Sequence, residues 1–401
     1  MTTLPVPTTI APAIPAAAID DLHRRLDRVS WPRRAGGAAV PGFDTERLRP
    51  LVEFWRHGFD WRAVEARLER LGQAICTTGD GRRLHAVHAR GGDRVSLLLI
   101  HGWPDSPLRF LELVPLLTAA GHDVVAPAIP GVGHSQEPEG EISRELIAQD
   151  FHALMSDLGY QRYAVHGGDW GSAIGATLAG LHPEAVVALH LTDVPFDLAY
   201  SIDRTTASDA EVAYLDSLEE SAGGQLYLTA NSTQPDVIAL ALTDSPVGLL
   251  AWLAHLYDQW SEDEIKAEDL LANASLMWLT GSLRSSMRLY CEPADAWDAS
   301  SWEETGDPWR AGADSVNTGG IDEAADPTDA EGTGIRAAAR IGTPTAFALF
   351  PKDLGMAPRA LADRHFTVER FTVMPHGGHF AALEQPALLA ADLIAFLDKR
   401  S

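Results

Sequence analysis

The 401-residue chain is poor in cysteine, in positive charge and in long apolar runs. Cys76 and Cys291 are its only two cysteines; they lie far apart, which excludes a disulfide framework and a cysteine-based metal cluster. A membrane-spanning helix needs roughly 20 apolar residues. The longest candidate, Val247 to Tyr257, is short and follows Asp244. Residues Met1 to Ala18 are rich in Pro, Thr and Ala but lack a basic start and a continuous apolar block, so they do not read as a secretory signal. Lys and Arg number 31 against 56 acids, a net charge of −25, which argues against nucleic acid and anionic membrane surfaces as partners. The expectation is a cytoplasmic protein that works without a cofactor or metal; homo-oligomerisation stays open. One further absence is chemical. No Gly-x-Ser-x-Gly occurs, which disfavours a serine esterase.

What stands in its place is Gly167-Gly168-Asp169-Trp170-Gly171. The spacing is that of a nucleophile elbow with aspartate at the tip. The apolar run Tyr163 to His166 precedes it and the small-residue segment Ser172 to Gly180 follows, so the context reads as strand, sharp turn and helix. A carboxylate needs no base to activate it. It attacks a saturated, electrophilic carbon directly and leaves an alkyl ester on the enzyme. This points to opening an epoxide or displacing a halide.

Periodicity divides the chain into blocks. Residues 1–92 read as a mostly helical leader, with helices from Asp20, over Thr45 to Trp55 and over Trp61 to Leu71. The leader ends in a hairpin turning at Asp80-Gly81. Residues 93–195 alternate strand and helix: strands Leu97 to Ile100, Val124 to Ile129, the elbow strand and Val186 to Leu191. That alternation predicts an α/β fold with a mostly parallel, doubly wound sheet binding its ligand at the carboxyl ends of the strands. Residues 196–335 break the rhythm with helical, Trp-rich sequence, which suits a helical cap inserted into the sheet. Residues 336–401 restore it, with strands Pro344 to Phe350 and Val368 to Met374 and a helix from Pro386 to Lys399. Within the insertion, residues 292–335 are strongly acidic, with Arg310 the single base. They read as a solvated loop, or as a lid edge carrying Trp297, Trp302 and Trp309.

An aspartyl ester must be hydrolysed for turnover, which needs a base for water and donors for the oxyanion. His379, directly after a strand and before the last helix, is the better base candidate; His376 is its competitor. The chain order nucleophile, acid, histidine fits the α/β-hydrolase pattern. Asp353 and Asp193, each at the end of a strand, are the two candidate orienting acids, and Asp353, which precedes His379 at a plausible distance, is the favoured one. The backbone N–H groups of Trp170 and of Trp103, in His101-Gly102-Trp103-Pro104, are the expected oxyanion donors.

Those motifs, with Gly377-Gly378-His379-Phe380-Ala381-Ala382-Leu383-Glu384, resemble the microsomal-type epoxide hydrolases. Trp31-Pro32 and Phe59-Asp60-Trp61-Arg62 in the leader are similar to the N-terminal domain of that family, and Asp244 to Leu249 and Ser285-Ser286-Met287-Arg288-Leu289-Tyr290 to its cap. The resemblance covers nearly the whole chain. It implies an α/β-hydrolase fold, a small-molecule epoxide substrate and no cofactor. It also implies Asp169 as nucleophile, His379 as base and Asp353 as acid, although the family more often has glutamate there. Two cap tyrosines hold the epoxide oxygen in that family. Tyr290 matches one by its context and Tyr227 the other by its distance before Thr233-Gln234-Pro235-Asp236. A phenol suits the task because it stays neutral near pH 7 and donates to the opening alkoxide. Trp252, Trp260 and Trp278 read as core or as substrate wall; as wall, they would favour an apolar or aromatic epoxide.

Two other readings compete. A haloalkane-type dehalogenase shares the Asp–His–acid logic, but resemblance to that family would call for asparagine where Trp103 stands. A non-catalytic ligand-binding scaffold usually lacks catalytic residues, and here the whole set is present.

Overall fold

The structure, a computed structural model, describes residues 11–31, 45–222, 226–291 and 340–400. The acidic segment 292–335, with Trp297, Trp302 and Trp309, and Pro32 of the leader motif lie outside them.

Eight strands form one sheet in the order β1-β2-β4-β3-β5-β6-β7-β8. They are β1 (Gln73–Thr77), β2 (Arg83–Ala89), β3 (Arg94–Ile100), β4 (His122–Pro127), β5 (Tyr163–Gly167), β6 (Val186–Leu191), β7 (Ile341–Leu349) and β8 (Phe366–Val373). From β4 to β8 every pairing is parallel, and β2 runs antiparallel to both of its neighbours. The central strands are continuous apolar runs because helices cover both faces of the sheet; Leu97, Leu98, Leu99 and Ile100 are each 0% exposed.

The hairpin pairs Gln73 with Val87 and Thr77 with Arg83, around Gly81 at φ 88°. It is not an appendage of the leader. Through β2 and β4 it is the edge of the main sheet, so the sheet begins inside residues 1–92 rather than at 93. The alternation in β1 and β2 is too short to reveal a partner nearly 40 residues downstream.

The leader helices Ala16–Leu26, Leu48–His57 and Trp61–Leu71 pack on helices that lie between β6 and β7. Trp55, fully buried, donates its indole N–H to Ser275 Oγ at 2.8 Å. Arg25 bonds to the Asp244 carbonyl, and Arg47 pairs with Asp258. The inserted helices are Asp209–Ala222, Leu226–Thr233, Pro235–Asp244, Pro246–Trp260, Ala267–Thr280 and Leu283–Met287. Ser245 caps the fourth by accepting from Gly248 N–H, and proline opens it at the first position, where a missing N–H costs nothing. Among the described residues no single helix is long and apolar enough to cross a membrane.

Candidate active site

Asp169 lies just beyond β5 and caps helix Trp170–Leu181 with φ 59° and ψ −131°. It is the only non-glycine with positive φ among the described residues. Such a conformation costs about 1–3 kcal/mol and persists only where its surroundings over-determine it. Here they do. A Cβ on Gly171 would lie 2.2 Å from the Ile100 carbonyl, and one on Gly102 would lie 2.2 Å from Asp169 Oδ1. The glycines let the ends of β3 and β5 close onto the carboxyl group.

That carboxyl group meets three partners. Trp103 N–H donates to Oδ1 at 2.7 Å, and Trp170 N–H also bonds to it. His379 Nε2 faces Oδ2 at 3.8 Å. On its other side, His379 Nδ1 bonds to Asp353 Oδ1 at 2.6 Å, which fixes that nitrogen as the proton carrier and leaves Nε2 facing Asp169. Nε2 is buried with no hydrogen-bond partner.

The electrostatics follow from burial and charge. Burial raises the Asp169 carboxyl above its usual range, opposed by the His379 charge and the two N–H groups. Burial pulls His379 down, but the Asp353 charge and hydrogen bond, with Asp169 added, outweigh it and place the imidazole at about 9. With Asp169 ionised the histidine is therefore a cation at neutral pH.

Of the two candidate acids, only Asp353 reaches the histidine. Asp193 instead accepts from Asp169 N–H at 2.9 Å and from Ser172 Oγ at 2.7 Å. Burial and the neighbouring Asp353 charge push its carboxyl up to about 7. His376 is exposed on the same loop as His379.

Tyr227 and Tyr290 meet over this floor, with ring centroids 6.0 Å apart and planes at 86°. Trp103 stacks on Tyr227 at 5.5 Å and meets Tyr290 edge-on at 5.4 Å. Trp170 meets Tyr290 at 5.3 Å, and its side chain hydrogen-bonds the phenol. Burial, with the Asp169 charge beside it, holds the Tyr290 hydroxyl well above its ordinary range, so it stays a proton donor. Of the three cap tryptophans, Trp260 is at the site, 4.8 Å from Tyr227 and 5.3 Å from His379. Trp278 lies under Arg25 at the leader, away from the triad.

Two supports had no motif to announce them. The Trp260 carbonyl accepts His379 N–H at 2.8 Å. Buried Arg109 donates to the His379 carbonyl at 3.0 Å and pairs with Asp105 at 3.2 Å. Tyr257 stacks on Phe380 at 3.9 Å and bonds to Asp105, so the cap grips the histidine loop from behind. The four-residue spacing of Asp105 and Arg109 was the only visible signal.

The family described as "Epoxide hydrolase N terminus" matches residues 7–110, and "alpha/beta hydrolase fold" matches residues 95–386. A Stigmatella aurantiaca protein named an epoxide hydrolase is 31% identical, over 95% of this chain and 82% of its own. The chain belongs to the epoxide hydrolase family. Epoxide hydrolase 1 of Oryctolagus cuniculus is 29% identical over 94% of this chain and 86% of its own. The Aspergillus niger epoxide hydrolase structure superimposes with a TM-score of 0.77 at 27% identity, covering 97% of this chain and 95% of that one. The chain is thus an enzyme of the α/β-hydrolase fold, with the N-terminal segment of the epoxide hydrolases joined to the hydrolase core.

Proposed function

We propose that the protein opens a small-molecule epoxide to a vicinal diol through a covalent ester on Asp169. The observation that carries this reading is the floor of the site, where one carboxyl group faces two backbone N–H donors and a histidine held by Asp353.

Asp169 attacks an oxirane carbon, the C–O bond breaks, and the departing oxygen takes a proton from Tyr290 or Tyr227. Ester formation then removes the Asp169 charge, one of the causes that hold His379 high. As its hold on the proton weakens, the resting imidazolium returns that proton to the tyrosinate and becomes the neutral base that the next step requires. His379 takes a proton from water, whose oxygen adds to the ester carbonyl. The N–H groups of Trp103 and Trp170, already aimed at that carboxyl group, hold the oxyanion. Collapse releases the diol, whose alkoxide takes the proton held by His379. The aspartic acid left behind gives its own proton to the imidazole, which restores the carboxylate, with one water oxygen in it, and the resting imidazolium.

The aromatic walls Trp103, Trp170 and Trp260 favour an apolar or aromatic substituent on the epoxide. In domain terms, the helices inserted between Asp209 and Met287 act as a cap over a core formed by the strands on either side.

The test is a single turnover of styrene oxide by excess enzyme in oxygen-18 water. Label on the Asp169 peptide, with largely unlabelled diol, is the expected result. Label in the diol instead means direct attack by water and removes Asp169 from the role of nucleophile.

A further inference from the structure

Asp193 has no part in the chemistry above, yet it lies against the turn that performs it. Its Oδ1 accepts from the backbone N–H of Asp169 and from the hydroxyl of Ser172, the third residue of the helix that Asp169 caps. In a capping box the third residue carries a long Glu or Gln side chain that reaches back to the N-cap N–H. Ser172 is too short to do so. The acceptor comes instead from the end of the adjacent strand β6, with Ser172 holding it in place.

We propose that Asp193 is a positioning residue for the nucleophile. Its carboxyl oxygen locks the positive-φ turn at Asp169, and so aims that side chain at the substrate and at the N–H groups of Trp103 and Trp170. The role rests on Asp169 being the nucleophile. It requires an acceptor at Oδ1 rather than a charge, because both groups that meet this oxygen, the Asp169 N–H and the Ser172 hydroxyl, are neutral donors.

Asparagine keeps the acceptor and alanine removes it. Ester formation on the Asp169 peptide is followed by rapid quench and mass spectrometry, with styrene oxide as the probe. In Asp193→Ala, ester formation slows by about 10- to 100-fold at saturating epoxide, as expected for a misaimed nucleophile. Asp193→Asn recovers most of that rate. Should Asp193→Ala fail to fold, Asp193→Ser, too short to reach Asp169 N–H, takes its place in the comparison. Two results overturn the proposal: an unchanged rate in the alanine or serine variant, or an asparagine variant as slow as they are. A wild-type enzyme that turns over with no adduct on Asp169 is distinguishable from both. It overturns the nucleophile reading, and this proposal with it.

Discussion

At the carboxyl ends of β3, β5 and β7 the reactive groups are held by backbone and charge, whereas in the inserted helices they are held by packed rings. Asp169 is over-determined by glycine contacts, a strained φ and hydrogen bonds to Trp103, Trp170 and Asp193. Tyr227 and Tyr290 are fixed mainly by edge-to-face and stacked contacts with Trp103, Trp170 and Trp260. The floor suits steps that tolerate no misplacement, since attack and oxyanion stabilisation both depend on sub-ångström geometry. The roof suits proton donation and substrate fit, where a ring can adjust.

The comparison breaks most sharply at Asp169. Asp169→Ala removes the nucleophile and is expected to lower kcat by at least about 10⁴-fold with the fold retained, since loss of a nucleophile in other hydrolases costs more than that. Diol formation at a rate within tenfold of wild type, measured by chiral chromatography, would sink the floor's covalent role. His379→Gln comes next. Its loss falls on ester hydrolysis alone, by about 10²- to 10⁴-fold, the usual range for a general base. A burst of one equivalent of bound substrate should appear, with the alkylated Asp169 peptide accumulating. Slow alkylation without that burst would move His379 to the first step.

The roof answers differently. Tyr290→Phe keeps the ring packing and deletes the donor, so ring opening should slow by about 10- to 100-fold while ester hydrolysis is unchanged. Tyr227→Phe should do the same to a smaller degree, since either phenol can serve as donor. Stopped-flow tryptophan fluorescence separates the steps, because Trp103 and Trp170 flank the nucleophile. Equal slowing of both steps would remove the tyrosines from the ring-opening role.

Legibility in the sequence divides along the same line. The floor is written in contiguous motifs, because an elbow, an oxyanion turn and a histidine loop each need neighbouring residues with particular backbone freedom. Gly167 to Gly171, His101 to Pro104 and Gly377 to Phe380 were therefore readable, as were the strands before them. Between Asp353 and Asp193 the sequence favoured the first, but both follow strands, and only the fold shows which of them faces His379. The hairpin's place at the sheet edge was hidden for the same reason. Within the roof, Trp260 and Trp278 look alike in sequence; the turn of each helix sends one to His379 and the other to the leader. Arg109 and its carbonyl contact came from a pairing 270 residues apart, beyond any local pattern.

The smallest expected effect is on stability, and it isolates the floor's charge pattern. Folding raises His379 from 6.5 to about 9, against the burial that pulls it down, through Asp353 and Asp169. A raised histidine stabilises the folded state fully below the unfolded pKa, and that contribution is lost as pH rises from 6.5 through 9. Asp193 also has a raised pKa, but its loss of stability on ionising falls between 3.8 and about 7. The buried histidines His85, His88 and His101, lowered to about 3 or 4 by burial, finish their contribution below 6.5. Tyr160 and Tyr163 are raised by burial to values above the window. Between pH 7 and 9 the melting temperature should therefore fall in the wild type, and His379→Gln should flatten most of that slope. The floor would then be held together by the cation it keeps at rest, while the roof, made of rings without charge, should leave the slope in Tyr290→Phe as it was. An equal slope in the wild type and the His379 variant would show that the resting charge pattern contributes nothing to holding the floor.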